Sequence, residues 1–194
     1  MLESRYGRTG ALSDLEEAIE ISKQSITSTL GSGTDDRAMR LNNLGNMLES
    51  LFEETGILAH LESAIQSARE ALNQPSSADA DQELRAGLVG NLGNKLRNRH
   101  EATGDIANLE EAVHAPGDQA LELTPEDGID RPAWTNSLGV SLSQRFELSG
   151  DLSNLDKAIK AARETIRLTE PSDPSQITWA SNLSSRHRRS GPGA

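Results

Sequence analysis

The chain has 194 residues, a net charge of −11 and no cysteine. That charge argues against nucleic acid as a main ligand, because phosphate binding needs clustered Lys and Arg, and the missing thiols exclude disulfides and thiolate metal sites. No apolar run approaches the roughly 18 residues of a membrane span, and Met1 to Tyr6 lacks the apolar stretch of a secretory signal, so a soluble cytoplasmic protein with no membrane partner is expected.

The first predicted element is a helical stub at residues 2–9. After Gly10, the residues Leu15, Ala18, Ile19 and Ile26 fall on one face of a helix. The linker from Gly31 to Asp35 leads to a helix expected over about 35–54, which contains Leu44, Gly45 and Leu48. Beyond Gly56, a helix over about 60–73 repeats the earlier face as Leu61, Ala64, Ile65 and Leu72. The next pair is expected at about 80–102, with Leu92, Gly93 and Leu96, and at about 108–123, with Leu109, Ala112, Val113 and Ala120. Pro116-Gly117 falls inside that second helix; a proline there removes a hydrogen bond and clashes with the preceding turn at a cost of about 3 kcal/mol, so a kink or break is expected. A third pair follows at about 131–148, with Leu138, Gly139 and Leu142, and at about 154–169, with Leu155, Ala158, Ile159 and Ile166. A last helix, over about 175–189, carries Leu183-Ser184 where the others have Leu-Gly and ends in the basic cluster Arg186 to Arg189.

The glycine ahead of each second helix recurs at Gly10, Gly56, Gly104 and Gly150, with spacings of 46, 48 and 46 residues. Self-similarity at such a period marks stacked repeats, each burying its apolar face against the next. The expected fold class is all-α, one solenoid of antiparallel helix pairs, with units at about 1–34, 35–80, 81–128 and 129–173 and a partial unit at 174–194. The recurring Gly suits a left-handed position just past a helix, and Asp14, Asn108 and Asn154, just before the repeated Leu, are candidate N-caps. A mid-helix Gly costs about 1 kcal/mol against Ala, so the repeated Gly45, Gly93 and Gly139 point to close approach of a neighbouring helix. The chain begins and ends within a unit, so a piece of a longer array is expected.

The series Leu44, Gly45, Leu48, Gly56 and Ala64 resembles the tetratricopeptide repeat. The usual unit has about 34 residues; here the first helix, the turn within the unit and the linker between units are each longer. This long form, with Arg145-Phe146, Ser149-Gly150, Leu152 and Leu155 as its clearest copy, is similar to arrays in large fungal proteins that accompany caspase-like CHAT domains or nucleotide-binding signalling domains. The resemblance implies a right-handed α-α superhelix whose first helices line a concave face. It implies no catalysis, and a CHAT-type Cys/His pair is impossible without cysteine.

No catalytic or cofactor set stands out: the four histidines lie in unrelated registers, and Gly31 to Thr34 lacks the Lys of a phosphate loop. Glu53-Glu54 and Glu110-Glu111 read as solvated helix surface. The candidate site is an asparagine series on the first helices: Asn43, Asn91 and Asn182 in one register, with Ser137 as the odd member, Asn46 and Asn94 one turn on, and Asn42 and Asn136 alongside. A carboxamide both donates and accepts, so such a row can pair with the main chain of an extended peptide; the competing reading is that each Asn bonds the neighbouring repeat. The expected function is a non-catalytic interaction scaffold that binds a peptide or partner domain, with basic or neutral segments favoured by the acidic charge. The alternative is a regulatory or spacer arm of a larger signalling protein or protease. Self-association through uncapped ends is a further expectation.

Overall fold

The computed structural model describes residues 12–28, 34–75, 82–112 and 118–169. Among them are α1 (Leu12–Ser28), α2 (Thr34–Thr55), α3 (Leu58–Leu72), α4 (Gln82–Thr103), α5 (Ile106–Ala112), α6 (Asp118–Leu123), α7 (Arg131–Ser149) and α8 (Leu152–Leu168), with no strand among the described residues. Helices α2, α4 and α7 are the first helices of successive units. Helices α1, α3, the α5–α6 pair and α8 are the second helices. The two pieces α5 and α6 occupy the span expected as one helix; Pro116-Gly117, where a break was expected, lies outside the described residues. The stub at 2–9, the last helix at 175–189 and Ser184 also lie outside them.

The turn between the two helices of a unit is built the same way three times. Gly56, Gly104 and Gly150 have φ of 68°, 72° and 69°, a left-handed conformation that costs a residue with a Cβ about 1–2 kcal/mol. The N–H of each donates to the carbonyl four residues back, on Phe52, His100 and Phe146, at 2.7, 2.7 and 2.8 Å. The hydroxyl before each glycine works in both directions. Thr55, Thr103 and Ser149 donate to the carbonyls of Leu51, Arg99 and Arg145 at 2.6, 2.7 and 2.8 Å. The same oxygens accept from the N–H of Ile57, Asp105 and Asp151 at 3.3, 3.2 and 3.2 Å. Orphan groups at the end of one helix and the start of the next are satisfied together, which explains why a Ser or Thr precedes each Gly.

The second helix starts two residues earlier than expected, which moves the cap. Asp151 Oδ1 accepts from Ser153 N at 2.9 Å, and Asp105 Oδ1 accepts from Ala107 N at 3.0 Å. The expected caps Asp14, Asn108 and Asn154 are instead the third residues of their helices and are buried, at 2%, 3% and 5% exposed. They sit about one turn too far along to reach the free amides; Asn108 instead accepts from Arg99 Nη1 at 2.6 Å and donates to the Asp105 carbonyl at 3.5 Å, both within its own unit.

The apolar rows pack as their spacing predicts. Leu15, Ile19 and Ile26 of α1 join Leu41, Leu44, Leu48 and Leu51 of α2, with Ala64 and Ala71 of α3 and Leu88 of α4. A second cluster unites Leu61, Ile65 and Ala68 of α3 with Leu92 and Leu96 of α4 and Ala112 of α5. A third, smaller one holds Leu142, Ala158 and Leu138 between α7 and α8. At Gly45 α2 lies close to both α3 and α4: a Cβ there would stand 3.2 Å from the Ala64 carbonyl oxygen, 3.3 Å from Lys95 Cε and 3.7 Å from Ser67 Cβ. That contact is the physical reason for the mid-helix glycine at this position.

Candidate interaction surface

The first helices α2, α4 and α7 lie side by side, and the polar residues along them form a seam. Asn91 Nδ2 donates to Asn42 Oδ1 at 3.0 Å, and Ser137 Oγ donates to Asn94 Oδ1 at 2.7 Å. Asn94 also accepts from Arg97 Nη1 at 3.1 Å. One turn along, Lys95 Nζ donates to Asn46 Oδ1 at 2.8 Å and to Glu49 Oε2 at 2.9 Å, while Asn98 Nδ2 donates to Glu49 Oε1 at 2.9 Å. In the next unit Gln144, which occupies the Asn98 register, donates to Glu101 Oε1 at 2.6 Å.

Four of the seven asparagines singled out from sequence, Asn42, Asn46, Asn91 and Asn94, therefore hydrogen-bond across to a neighbouring first helix. Asn43 is exposed and makes no hydrogen bond among the described residues. Asn136 is half-buried, and its Oδ1 is buried without a donor. Asn182 lies outside the described residues. At the register of Asn42 and Asn136, α4 has Gly90, whose missing side chain makes room for the Trp134 ring. The amide row is thus interrupted once, by an aromatic from the next unit.

Two features of this surface lie outside that series. Lys95 is the largest side chain among the fully buried ones, at 1% exposure, and holds its charge inside the seam by three-way contact with Asn46 and Glu49. Its signal in sequence is a lysine at a register that holds Met47 and Ser141 in the adjacent units. The second is an acidic row: Glu53, Glu101 and Glu147 share one register at offsets of 48 and 46, and all three are exposed. Between Glu49 and Glu101 sits the Arg97 guanidinium. Burial pulls it below its ordinary pKa, and the two carboxylates pull it back.

A parallel set of ion pairs ties α4 and α7 each to the second helix before it. Arg99 Nε on α4 meets Glu62 Oε1 on α3 at 2.6 Å, and Arg145 Nε on α7 meets Glu110 Oε1 on α5 at 2.9 Å. Arg99 Nη1 also donates to the buried Asn108 Oδ1 at 2.6 Å. These pairs explain both the Arg of the Arg-aromatic element and the acidic residue that follows the repeated Leu. Among the described residues, no group of three His, Cys, Asp or Glu side chains is placed to hold a metal ion, and no helix is long and apolar enough to cross a membrane.

Among curated proteins, none matches the chain. Among solved structures, the chain is similar to the "DHF58 filament" at 15% identity and a TM-score of 0.48, covering 98% of this chain and 92% of that one. It is also similar to the de novo designed helical repeat protein DHR64, at 18% identity and a TM-score of 0.42, covering 94% and 92%. Neither bears on what this chain does. Residues 37–79, which take in most of α2 and all of α3, match the family model described as Tetratricopeptide repeat; the unit built on Gly45, Gly56 and Ala64 is a tetratricopeptide repeat.

Proposed function

We propose that the chain is a non-catalytic protein-interaction scaffold and that it binds an extended peptide along the face of α2, α4 and α7. The observation that carries this reading is the state of Asn43: it is exposed and uncommitted beside amides already fixed by the seam. A carboxamide in that state offers a donor and an acceptor to one residue of a peptide main chain. The fixed neighbours Asn42, Asn46, Asn91 and Asn94 hold the floor rigid, so little ordering remains at binding. Asn136 lies alongside, in the register of Asn42 two units on, and Asn182 belongs to the Asn43 register by sequence.

The row Glu53, Glu101 and Glu147 favours a basic or neutral segment over an acidic one. Neighbouring helices pack about 8–10 Å apart, and a chain in the polyproline-II conformation rises about 3.1 Å per residue with about three residues per turn. A Lys or Arg at every third residue of such a peptide lies on one face and matches that row.

The test is titration of a library-selected extended peptide against wild type and Asn43→Ala. Loss of the paired hydrogen bonds at Asn43 is expected to weaken binding about ten-fold, from about 1 kcal/mol or slightly more. Equal binding by the two proteins removes the asparagine reading. Selection of acidic peptides in place of basic ones removes the charge assignment.

A further inference from the structure

The junction between the third and fourth units departs from the one before it. In the earlier junction, Leu61, Ile65 and Ala68 of α3 cover Leu92 and Leu96 of α4, and Arg69 closes the outer edge with a two-pronged bond to Glu111, at 2.9 Å to each carboxylate oxygen. At the later junction the register of Ala68-Arg69 is Pro116-Gly117, and the register of Glu111 is Lys157. In sequence the bridging Arg is thus replaced by Gly, and the carboxylate it would meet by a cation. Lys157 lines a cavity of about 420 Å³ between α6, α7 and α8.

Its floor is apolar, made chiefly of Leu138 and Leu142 of α7, the counterparts of Leu92 and Leu96. Its walls carry four cations, Arg131, Arg145, Lys157 and Lys160, against one carboxylate, Glu164. Glu164 is already bound by Arg167, at 2.6 and 2.8 Å, which holds its carboxyl below the ordinary range. Arg131 spends one nitrogen on the carbonyls of Leu121 and Thr124, and Arg145 pairs with Glu110. Lys157 and Lys160 are exposed and make no hydrogen bond or ion pair among the described residues; Asp151 is the carboxylate that senses Lys157. In a chain of net charge −11, a concave site of this sign is a local inversion of the overall field.

We propose that this cavity binds an acidic peptide segment carrying one bulky apolar side chain, which rests on Leu138 and Leu142 while flanking carboxylates pair with Lys157 and Lys160. The volume falls in the range of small binding pockets, about 300–1,000 Å³, and an apolar anchor ringed by charge gives both grip and sign selection. The site uses no member of the asparagine series and stands whether or not the first-helix face binds a peptide.

The experiment is fluorescence anisotropy with a labelled Glu-Glu-Phe-Glu-Glu peptide on the full chain. Wild type is expected to bind it, the counterpart with Lys for every Glu is not, and replacing the Phe by Ser is expected to weaken binding at least five-fold. Lys157→Glu/Lys160→Glu is expected to weaken it at least ten-fold with an unchanged helical circular-dichroism spectrum, while Asn43→Ala leaves it unchanged. Each lysine is exposed, so the reversal does not disturb the core. Equal affinity of wild type and the charge-reversed variant overturns the proposal, as does absence of binding up to about 1 mM peptide. Binding of decanoate without binding of the peptide also overturns it, in favour of a small amphipathic carboxylate.

Discussion

The Lys95 ammonium on α4 donates at 2.9 Å to the Glu49 carboxylate on α2, and the two differ in their access to water: 1% of the lysine side chain is exposed against 17% of the glutamate. The pair joins two first helices across the repeat boundary, and each partner has a second contact, Asn46 for the lysine and Asn98 for the glutamate. Removing one member of a buried pair strands the other, typically at about 3–5 kcal/mol, whereas an apolar replacement of similar volume can be nearly neutral.

The two partners therefore respond unequally to mutation. Glu49→Ala leaves the lysine charge enclosed with only Asn46 to meet it and is expected to cost about 3 kcal/mol. Lys95→Met leaves a carboxylate that keeps Asn98 and reaches solvent, and it installs the residue type found at Met47 in the same register; the expected cost is under about 1.5 kcal/mol. Urea unfolding of both variants checks the order, and a larger loss for Lys95→Met contradicts it.

The repeated ion pairs between units are partly exposed, with side-chain exposures of 31% and 43% for Arg99–Glu62 and 28% and 38% for Arg145–Glu110. A double-mutant cycle on Arg145 and Glu110 is expected to give a coupling of about 0.5 kcal/mol that shrinks in 0.5 M salt. Arg99→Ala is expected to cost more than the loss of its ion pair with Glu62 alone, because it also strips the hydrogen bond from Asn108, which is 3% exposed.

Three glycines of α4 and its end separate the reasons for having one. At Gly87 a Cβ meets nothing within 4 Å, so Gly87→Ala is expected to stabilise the helix by about 0.5–1 kcal/mol. At Gly90 a Cβ runs into the Trp134 ring, so Gly90→Ala is expected to destabilise by about 1–3 kcal/mol through overpacking. Gly104 has open space but φ of 72°, so Gly104→Ala is expected to cost about 1–2 kcal/mol from backbone strain alone. Thermal melts of the three variants should show one gain and two losses.

The cap of α8 titrates. The Ser153 backbone N–H, then the Ser153 hydroxyl, hold the Asp151 carboxyl below its ordinary value of 3.8, with Arg145 and Lys157 adding to the shift. A depressed folded pKa contributes stability that is present above the unfolded pKa and is lost as pH falls through the folded one. The melting-temperature difference between wild type and Asp151→Ala should be full at pH 7 and should shrink in acid, below pH 3.8. A difference that grows in acid contradicts the cap assignment.

Much of this architecture was legible in the chain because repetition turns weak local signals into strong ones. Gly56, Gly104 and Gly150 each announce a left-handed turn, and Leu61, Leu109 and Leu155 each mark the buried face of a second helix, at 0–1% exposure. Gly45 announced a close helix contact and has one. The caps were misplaced because Asp14, Asn108 and Asn154 are residue types shared by caps and by buried hydrogen-bonded positions, and spacing alone does not separate these. The inter-repeat partners of the asparagines were not legible either. Which amide of one first helix faces which amide of the next depends on the stagger between helices, set by packing at positions such as Gly90 and Trp134.

Amide chemical-shift mapping decides whether a peptide lies along α2, α4 and α7. On addition of a library-selected basic peptide, the largest shifts are predicted at the side-chain amides of Asn43, Asn94 and Asn136 and at the backbone around Glu53, Glu101 and Glu147, with α3 and α8 nearly still. Shifts confined to the second helices, or none at saturating peptide, would contradict that placement.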